Sequence, residues 1–174
     1  AYRPAKHSLS RGQILLRNYS YEECFVPLRE MVESLVLELI AEEALTKYIS
    51  LGVRYADRTV KGTGGSRRLS KYTCSLDVLS QTVLELYKDT AHSHQAIRQL
   101  SVGFDDLVNR EAVPWEEDLF STSQGREEKA YQVERTVLTI KEKFGGNSIL
   151  RASSLQEEGT MQFRNTLVGG HNAT

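Results

Sequence analysis

Between Arg54 and Lys71 the chain places Arg54, Arg58, Lys61, Arg67, Arg68 and Lys71 against a single acid, Asp57. Ahead of Tyr21 it carries Arg3, Lys6, Arg11 and Arg17 and no acid. Guanidinium and ammonium groups gathered in this way can neutralise the phosphates of a polyanion. The opposite bias follows at once, with Glu22, Glu23, Glu30, Glu33, Glu38, Glu42 and Glu43 against Arg29 alone. The alternative is that these charges only solvate a surface.

Other reactive side chains do not converge on a reaction. Asp105-Asp106 follows a strand-like stretch and reads as a turn or cap. His92 and His94 share a loop with no acidic or cysteine partner beside them, so a metal site is not expected. Gly62-Thr63-Gly64-Gly65-Ser66 lacks the Lys-Ser/Thr pair that opens a helix after a phosphate-binding loop, and its glycines more simply permit a turn. Cys24 and Cys74 make neither a disulfide framework nor a zinc set and read as small buried side chains of a reducing compartment. No catalytic residue, metal or cofactor is expected in this chain. A small-molecule enzyme would need an acid, base or nucleophile set that is missing here.

The elements that must position the cations are read from hydrophobic spacing. A short apolar run from Gln13 to Arg17 predicts a strand. Ser20 and Glu23 have the capping-box spacing, and Cys24, Leu28, Met31, Leu35 and Leu39 then mark a helix face ending near Leu45. Pro27 should kink that helix or shorten its regular part. Ile49, Leu51, Val53 and Tyr55 alternate with Ser50, Gly52, Arg54 and Ala56, a strand with one wet face. Gly62, Gly64 and Gly65 mark a turn before a strand over Arg67–Thr73. Ser75 and Asp77 can cap a helix carrying Leu79, Val83, Leu86 and Tyr87. After a loop at His92–Gln95, Leu100, Val102 and Phe104 alternate with Gln99, Ser101 and Gly103 in a last strand.

The order is βαββαβ, the split βαβ, ferredoxin-like arrangement of the α+β class. Two helices cover one face of a four-stranded sheet of antiparallel type, and the other face stays open. Its side chains, Ser50, Gly52, Gln99, Ser101 and Gly103, are small and polar and would let a sugar–phosphate backbone approach closely. They include no aromatic pair for stacking bases, which favours duplex over single strand.

From Val108 the composition shifts. The expected division is residues 1–108 as a binding domain, 109–125 as a linker, and 126–174 as a helix and flexible tail. A helix is expected from about Glu127 to Phe144, stopped by Gly145-Gly146. The polar remainder, Asn147–Thr174, has weak periodicity and reads as poorly ordered when alone.

The 174 residues, 40% hydrophobic and 26% charged, suit one ordinary globular domain with an extension. No apolar run approaches the roughly 20 residues of a membrane helix, and no signal peptide is evident. The opening Ala1-Tyr2-Arg3-Pro4, without an initiator Met, fits a piece of a longer protein.

Several stretches in this order resemble one family. Lys6–Tyr19 (KHSLSRGQILLRNY), preceded by Tyr2-Arg3-Pro4, is similar to the opening of the little finger domain of Y-family translesion DNA polymerases. Ser50–Tyr55 and Leu100–Phe104 resemble later strands of that domain. Phe144–Arg151 and Leu167–Ala173 resemble the tail of UmuC-like (ImpB/MucB/SamB) members from Gram-positive bacteria. The resemblance implies a module that grips primer-template DNA across the major groove, mostly through phosphates. Carried over by position, the DNA-contacting candidates are Ser8, Ser10, Arg11, Gly12, Arg17, Arg54, Ser66, Arg67, Arg68, Gln99 and Ser101. It also implies that the polymerase carboxylates and their Mg2+ belong to a palm domain earlier in a parent chain, acting in the bacterial cytoplasm on nucleoid DNA.

Glu116–Phe120 resembles the sliding-clamp-binding motif of bacterial polymerases, with Leu119 and Phe120 as its apolar pair. The usual first Gln is replaced by Glu116 and the first Leu by Glu117. The alternatives are that this pair docks on the domain itself, or that the whole chain is a protein-interaction domain that does not touch DNA.

Overall fold

The computed structural model describes residues 7–113, 122–168 and 171–172. In chain order these form β1 (Ser8–Tyr19), α1 (Phe25–Ala41), β2 (Ala44–Tyr55), β3 (Thr63–Thr73), α2 (Leu76–Thr90), β4 (Ile97–Asp105), β5 (Val108–Asn109), α3 (Thr122–Phe144), α4 (Met161–Arg164), β6 (Leu167–Val168) and β7 (His171–Asn172). The first six elements run βαββαβ, as the alternation patterns predict. The strand order is β1-β4-β2-β3, every pair is antiparallel, and β5 adds a short fifth strand beside β2. Both βαβ units are split: β4 lies between β1 and β2, and β2 lies between β4 and β3. The fold class is α+β, as the sequence indicates.

Period-two alternation puts Leu9, Leu15, Ile49, Leu51, Val53, Leu100, Val102 and Phe104 on one face of the sheet. There they pack with Leu28, Met31, Leu35 and Leu39 of α1 and with Leu79, Val83, Leu86 and Tyr87 of α2. The Ser20–Glu23 capping box forms, with Ser20 N donating to Glu23 Oε2 at 2.7 Å and Glu23 N donating to Ser20 Oγ at 3.3 Å. Regular helix begins only at Phe25. Pro27 therefore sits in the first turn, where a backbone N–H would have no intrahelical acceptor, and it shortens the regular helix as expected.

Several boundaries differ from the sequence reading. β3 starts at Thr63 rather than Arg67, so Gly64 and Gly65, expected in the turn, pair with Gly52 and Leu51 inside the sheet. α3 starts at Thr122 rather than about Glu127. Three more follow from the path of the chain. First, α1 ends at Ala41 rather than near Leu45, because Glu43 takes a left-handed φ of 50° and turns the chain into β2. Second, β2 therefore starts five residues before Ile49. Third, β1 extends to Ser8, since its opening Ser8-Leu9-Ser10-Arg11-Gly12 pairs with β4 although its composition is mostly polar.

The largest departure is the C-terminal region. Asn147 onward is expected to be poorly ordered, yet the segment from Arg151 to Arg164 folds back onto α1 and β1. The contacts are polar, which is why hydrophobic periodicity does not reveal them. The Glu30 carboxylate, 2% exposed, accepts from Thr160 N at 2.8 Å, Thr160 Oγ1 at 2.8 Å and Met161 N at 3.1 Å, all through Oε2. Glu33 pairs with Lys141 at 3.6 Å and Arg151 at 3.2 Å, and Arg151 also pairs with Glu134. From β1, Gln13 Nε2 donates to Thr160 Oγ1 at 2.8 Å and Tyr19 OH donates to the Glu158 carbonyl at 3.2 Å. Much of the acidity of α1 thus anchors this tail. Among the described residues no helix is long and apolar enough to cross a membrane.

Replacing Glu30 by Ala leaves three donors unpartnered. It should lower the unfolding free energy by about 2–4 kcal/mol in a urea titration and open residues 148–168 to protease. Unchanged stability and protection would mean that these bonds do not hold the tail.

Candidate nucleic-acid interface

The face of the sheet away from α1 and α2 is built in rows set by strand register. One row is Ser10, Gly103, Ser50 and Ser66, running across β1, β4, β2 and β3. The next is Gly12, Ser101, Gly52 and Gly64. No side chain in these two rows is larger than serine, so they form a flush floor. On one side the floor is bounded by Ser8, Asp105, Tyr48 and Arg68, and on the other by Ile14, Gln99 and Arg54.

Serine and glycine alternate on the central strands for a steric reason. A Cβ on Gly103 would meet Ser50 Oγ at 2.4 Å, and one on Gly52 would meet Ser101 Oγ at 2.4 Å. Each serine thus lies over a glycine of the neighbouring strand. Gly64 is required by the backbone: its φ is +123°, and a Cβ there would stand 2.0 Å from the Leu51 carbonyl oxygen.

The sequence-predicted cations fall into two sets. Arg54 and Arg68 lie on the open face, both exposed, and neither makes an ion pair with a described residue. Arg68 lies over the Tyr48 ring, 5.8 Å from its centroid. Arg58 and Lys61, in the β2–β3 connection, and Arg98 are also exposed and without such a pair. Arg11, Arg17 and Arg67 belong to the opposite pleat and reach carboxylates of the helical side. Arg11 pairs with Glu38 at 3.3 Å, Arg17 with Glu23 at 2.6 Å, and Arg67 with Asp89 at 2.7 Å and Glu85 at 3.6 Å. Lys71 pairs with Glu127 of α3 at 2.9 Å. The two-sided polarity expected from the sequence is therefore partly neutralised by the fold. What remains uncompensated on the open face is Arg54 and Arg68.

Of the other predicted contacts, Ser8, Ser10, Gly12, Ser66, Gln99 and Ser101 all lie on the open face, together with Arg54 and Arg68. Leu119 and Phe120 lie outside the described residues. Asp106 sits in a turn at φ 55° and accepts from Tyr72 OH at 2.9 Å. His92 lies in a loop, its ring stacked on Tyr55 at 5.3 Å. Cys24 is buried and Cys74 half-buried, both free thiols, and burial pushes them up to about 12 and about 11.

Two features escaped the sequence reading. Tyr48 belongs to the open face, because β2 extends beyond Ile49 and Tyr48 shares the parity of Ser50 and Gly52. Ile14 and Leu16, 67% and 53% exposed, give the β1 edge of that face an apolar lip. The parity of Leu15 against its neighbours carries that signal.

The domain is thus an antiparallel α+β sheet with helices on one face and a smooth, cation-bordered floor on the other. The impB/mucB/samB family C-terminal domain matches residues 6–116, and the chain belongs to that family of Y-family DNA polymerases through this domain. It is 28% identical over 174 residues to the "Putative UV-damage repair protein UvrX" of Bacillus subtilis (strain 168), covering 94% of this chain and 38% of that protein. It is 28% identical over 168 residues to "DNA polymerase IV 2" of Halalkalibacterium halodurans, covering 94% and 39%. The chain thus spans well under half the length of these two relatives. A chain of the "Dbh Ternary Complex (substrates partially disordered)" superposes with a TM-score of 0.48 at 12% identity, over 58% of this chain and 29% of that one.

The Arg17–Glu23 pair gives a pH signature. The Arg17 hydrogen bonds, aided by the Ser20 amide, hold the Glu23 carboxyl at about 2, against an ordinary 4.5. A depressed carboxyl stabilises the fold above its unfolded-state value and loses that contribution as the pH falls toward the folded value. The stability difference between wild type and Glu23→Gln should therefore be complete above about pH 4.5 and shrink from there toward pH 2. A difference that stays constant over that range would contradict the pairing.

Proposed function

We propose that this domain holds duplex DNA by its sugar–phosphate backbone, as the DNA-gripping part of a translesion polymerase. The observation that carries the reading is the floor of two Ser/Gly rows bordered by Arg54 and Arg68, whose guanidiniums the fold leaves uncompensated. Hydroxyls of Ser10, Ser50, Ser66 and Ser101 can donate to phosphate oxygens, and the glycines let a backbone lie close. The two guanidiniums supply charge at the borders. Contacts of this kind position a duplex without reading its sequence. That suits an enzyme that must hold damaged templates of any sequence.

The printed names of the two relatives, a UV-damage repair protein and a DNA polymerase, support the same role. In this reading the nucleotidyl transfer, with its carboxylates and Mg2+, takes place elsewhere in a longer parent chain, in the bacterial cytoplasm. This segment contributes affinity and alignment and does not itself extend a primer.

Fluorescence anisotropy with a short duplex at a series of salt concentrations tests this. The affinity should fall linearly in log–log form with salt, independent of sequence. Arg54→Ala and Arg68→Ala should each weaken binding and reduce the slope by about 0.9. Arg67→Ala should leave the slope nearly unchanged, because its guanidinium is held by Asp89 and Glu85. Salt-insensitive binding, or Arg67→Ala as damaging as Arg68→Ala, would overturn the reading.

A further inference from the structure

The row that closes the floor on one side differs in chemistry from the rest of the face. Ser8, Asp105, Tyr48 and Arg68 lie side by side across the four strands. Tyr48 is half-buried, and its hydroxyl has no hydrogen-bond partner among the described residues. Beside Tyr48 the β2–β3 register is irregular, because β3 carries extra residues between Arg68 and Thr73 opposite Thr46–Tyr48. The fully buried Thr46 fixes the backbone here, its Oγ1 lying 2.7 Å from the Asp105 carbonyl oxygen and 2.9 Å from the Tyr48 carbonyl oxygen.

Within this row Tyr48 and Asp105 are unsuited to phosphate, while Arg68 can meet one on a blunt duplex. The Asp105 side chain is directly opposite Tyr48, has no ion-pair or hydrogen-bond partner among the described residues, and would repel a phosphate. A carboxylate can instead accept from the amino or imino groups on the edge of a base. An aromatic ring beside it offers a stacking surface. The Arg68 guanidinium stands 5.8 Å from the ring centroid and has no acidic partner among the described residues, so it is free to move outward over a base laid on the ring.

We propose that Tyr48, Arg68 and Asp105 form a site for one unpaired DNA base, stacked on Tyr48 beneath Arg68 with its edge toward Asp105. This rests on the DNA-binding reading above and deepens it: the floor carries the backbone, and this row takes a base that has left the duplex. Such a base is available at a single-stranded template overhang or at a bulged or mispaired position.

The test compares a blunt duplex with the same duplex bearing a short single-stranded overhang, at one fixed salt concentration, by anisotropy. Wild type should prefer the overhang by roughly five- to tenfold, about the value of one stacked base. Tyr48→Leu, which keeps the bulk without the aromatic face, should abolish that preference while leaving blunt-duplex affinity and its salt slope unchanged. Tyr48→Phe should retain the preference. Thermal unfolding of both variants separates a loss of contact from a loss of fold. Equal loss on both DNAs, or no preference in wild type that nevertheless binds blunt duplex, would overturn the base site and leave backbone binding intact. Wild type that binds neither DNA would remove both readings.

Discussion

Every side chain of β2 and β4 is assigned to a face by parity, and the register between these two strands determines what each face can do. Ile49, Leu51 and Val53 share one face with Leu100, Val102 and Phe104, all buried against α1 and α2. The other face then receives Ser50 against Gly103 and Ser101 against Gly52. A slip of one residue would put serines and glycines into the core and the aliphatic set into water. The smooth floor is in this sense the necessary reverse of a well-packed core. In its Ser-over-Gly fit a Cβ on Gly52 or Gly103 would force the facing serine hydroxyl to turn away.

Electrostatics is organised by the same parity. Adjacent arginines on a strand cannot share a face, so Arg67 and Arg68 have different fates: one is paired with α2, the other free over the sheet. Arg11 and Arg17 share the parity of Leu15 and Tyr19 and are taken up by Glu38 and Glu23. Glu30 and Glu33 turn inward to bind the returning tail. The acidity of α1 thus serves mainly to hold the molecule together, and on the open face Arg54 and Arg68 form no ion pair with a described residue, although Asp105 stands in the same row as Arg68. Exposed pairs of this kind contribute little stability, about 0–1 kcal/mol each, whereas the buried Glu30 cluster contributes more.

The α+β class, the order of the first six elements and the wet faces of β2 and β4 are legible in the sequence, since each rests on clean alternation. So is family membership, which depends on the order of several short stretches. The tail is not legible, because its anchors are hydrogen bonds to Glu30 and ion pairs to Glu33 rather than an apolar stripe. The split of the cations is also carried by parity: counting from Leu15, Ile49 and Leu69 separates Arg11, Arg17 and Arg67 from Arg54 and Arg68. Tyr48 is hidden because a strand start read at Ile49 falls five residues after the true start at Ala44. The alternation of Ser50 and Gly52, carried back one step, puts this aromatic on the open face.

The central claim is that the uncovered face, and not the helical back, meets DNA. Backbone amide NMR shifts on titration with a short duplex test it most directly. The perturbed amides should cluster at Ser10, Gly12, Ser50, Gly52, Ser66, Ser101 and Gly103, leaving α1, α2 and residues 148–168 unmoved. Perturbations concentrated on α1 or α2, with the Ser/Gly rows silent, would contradict the account.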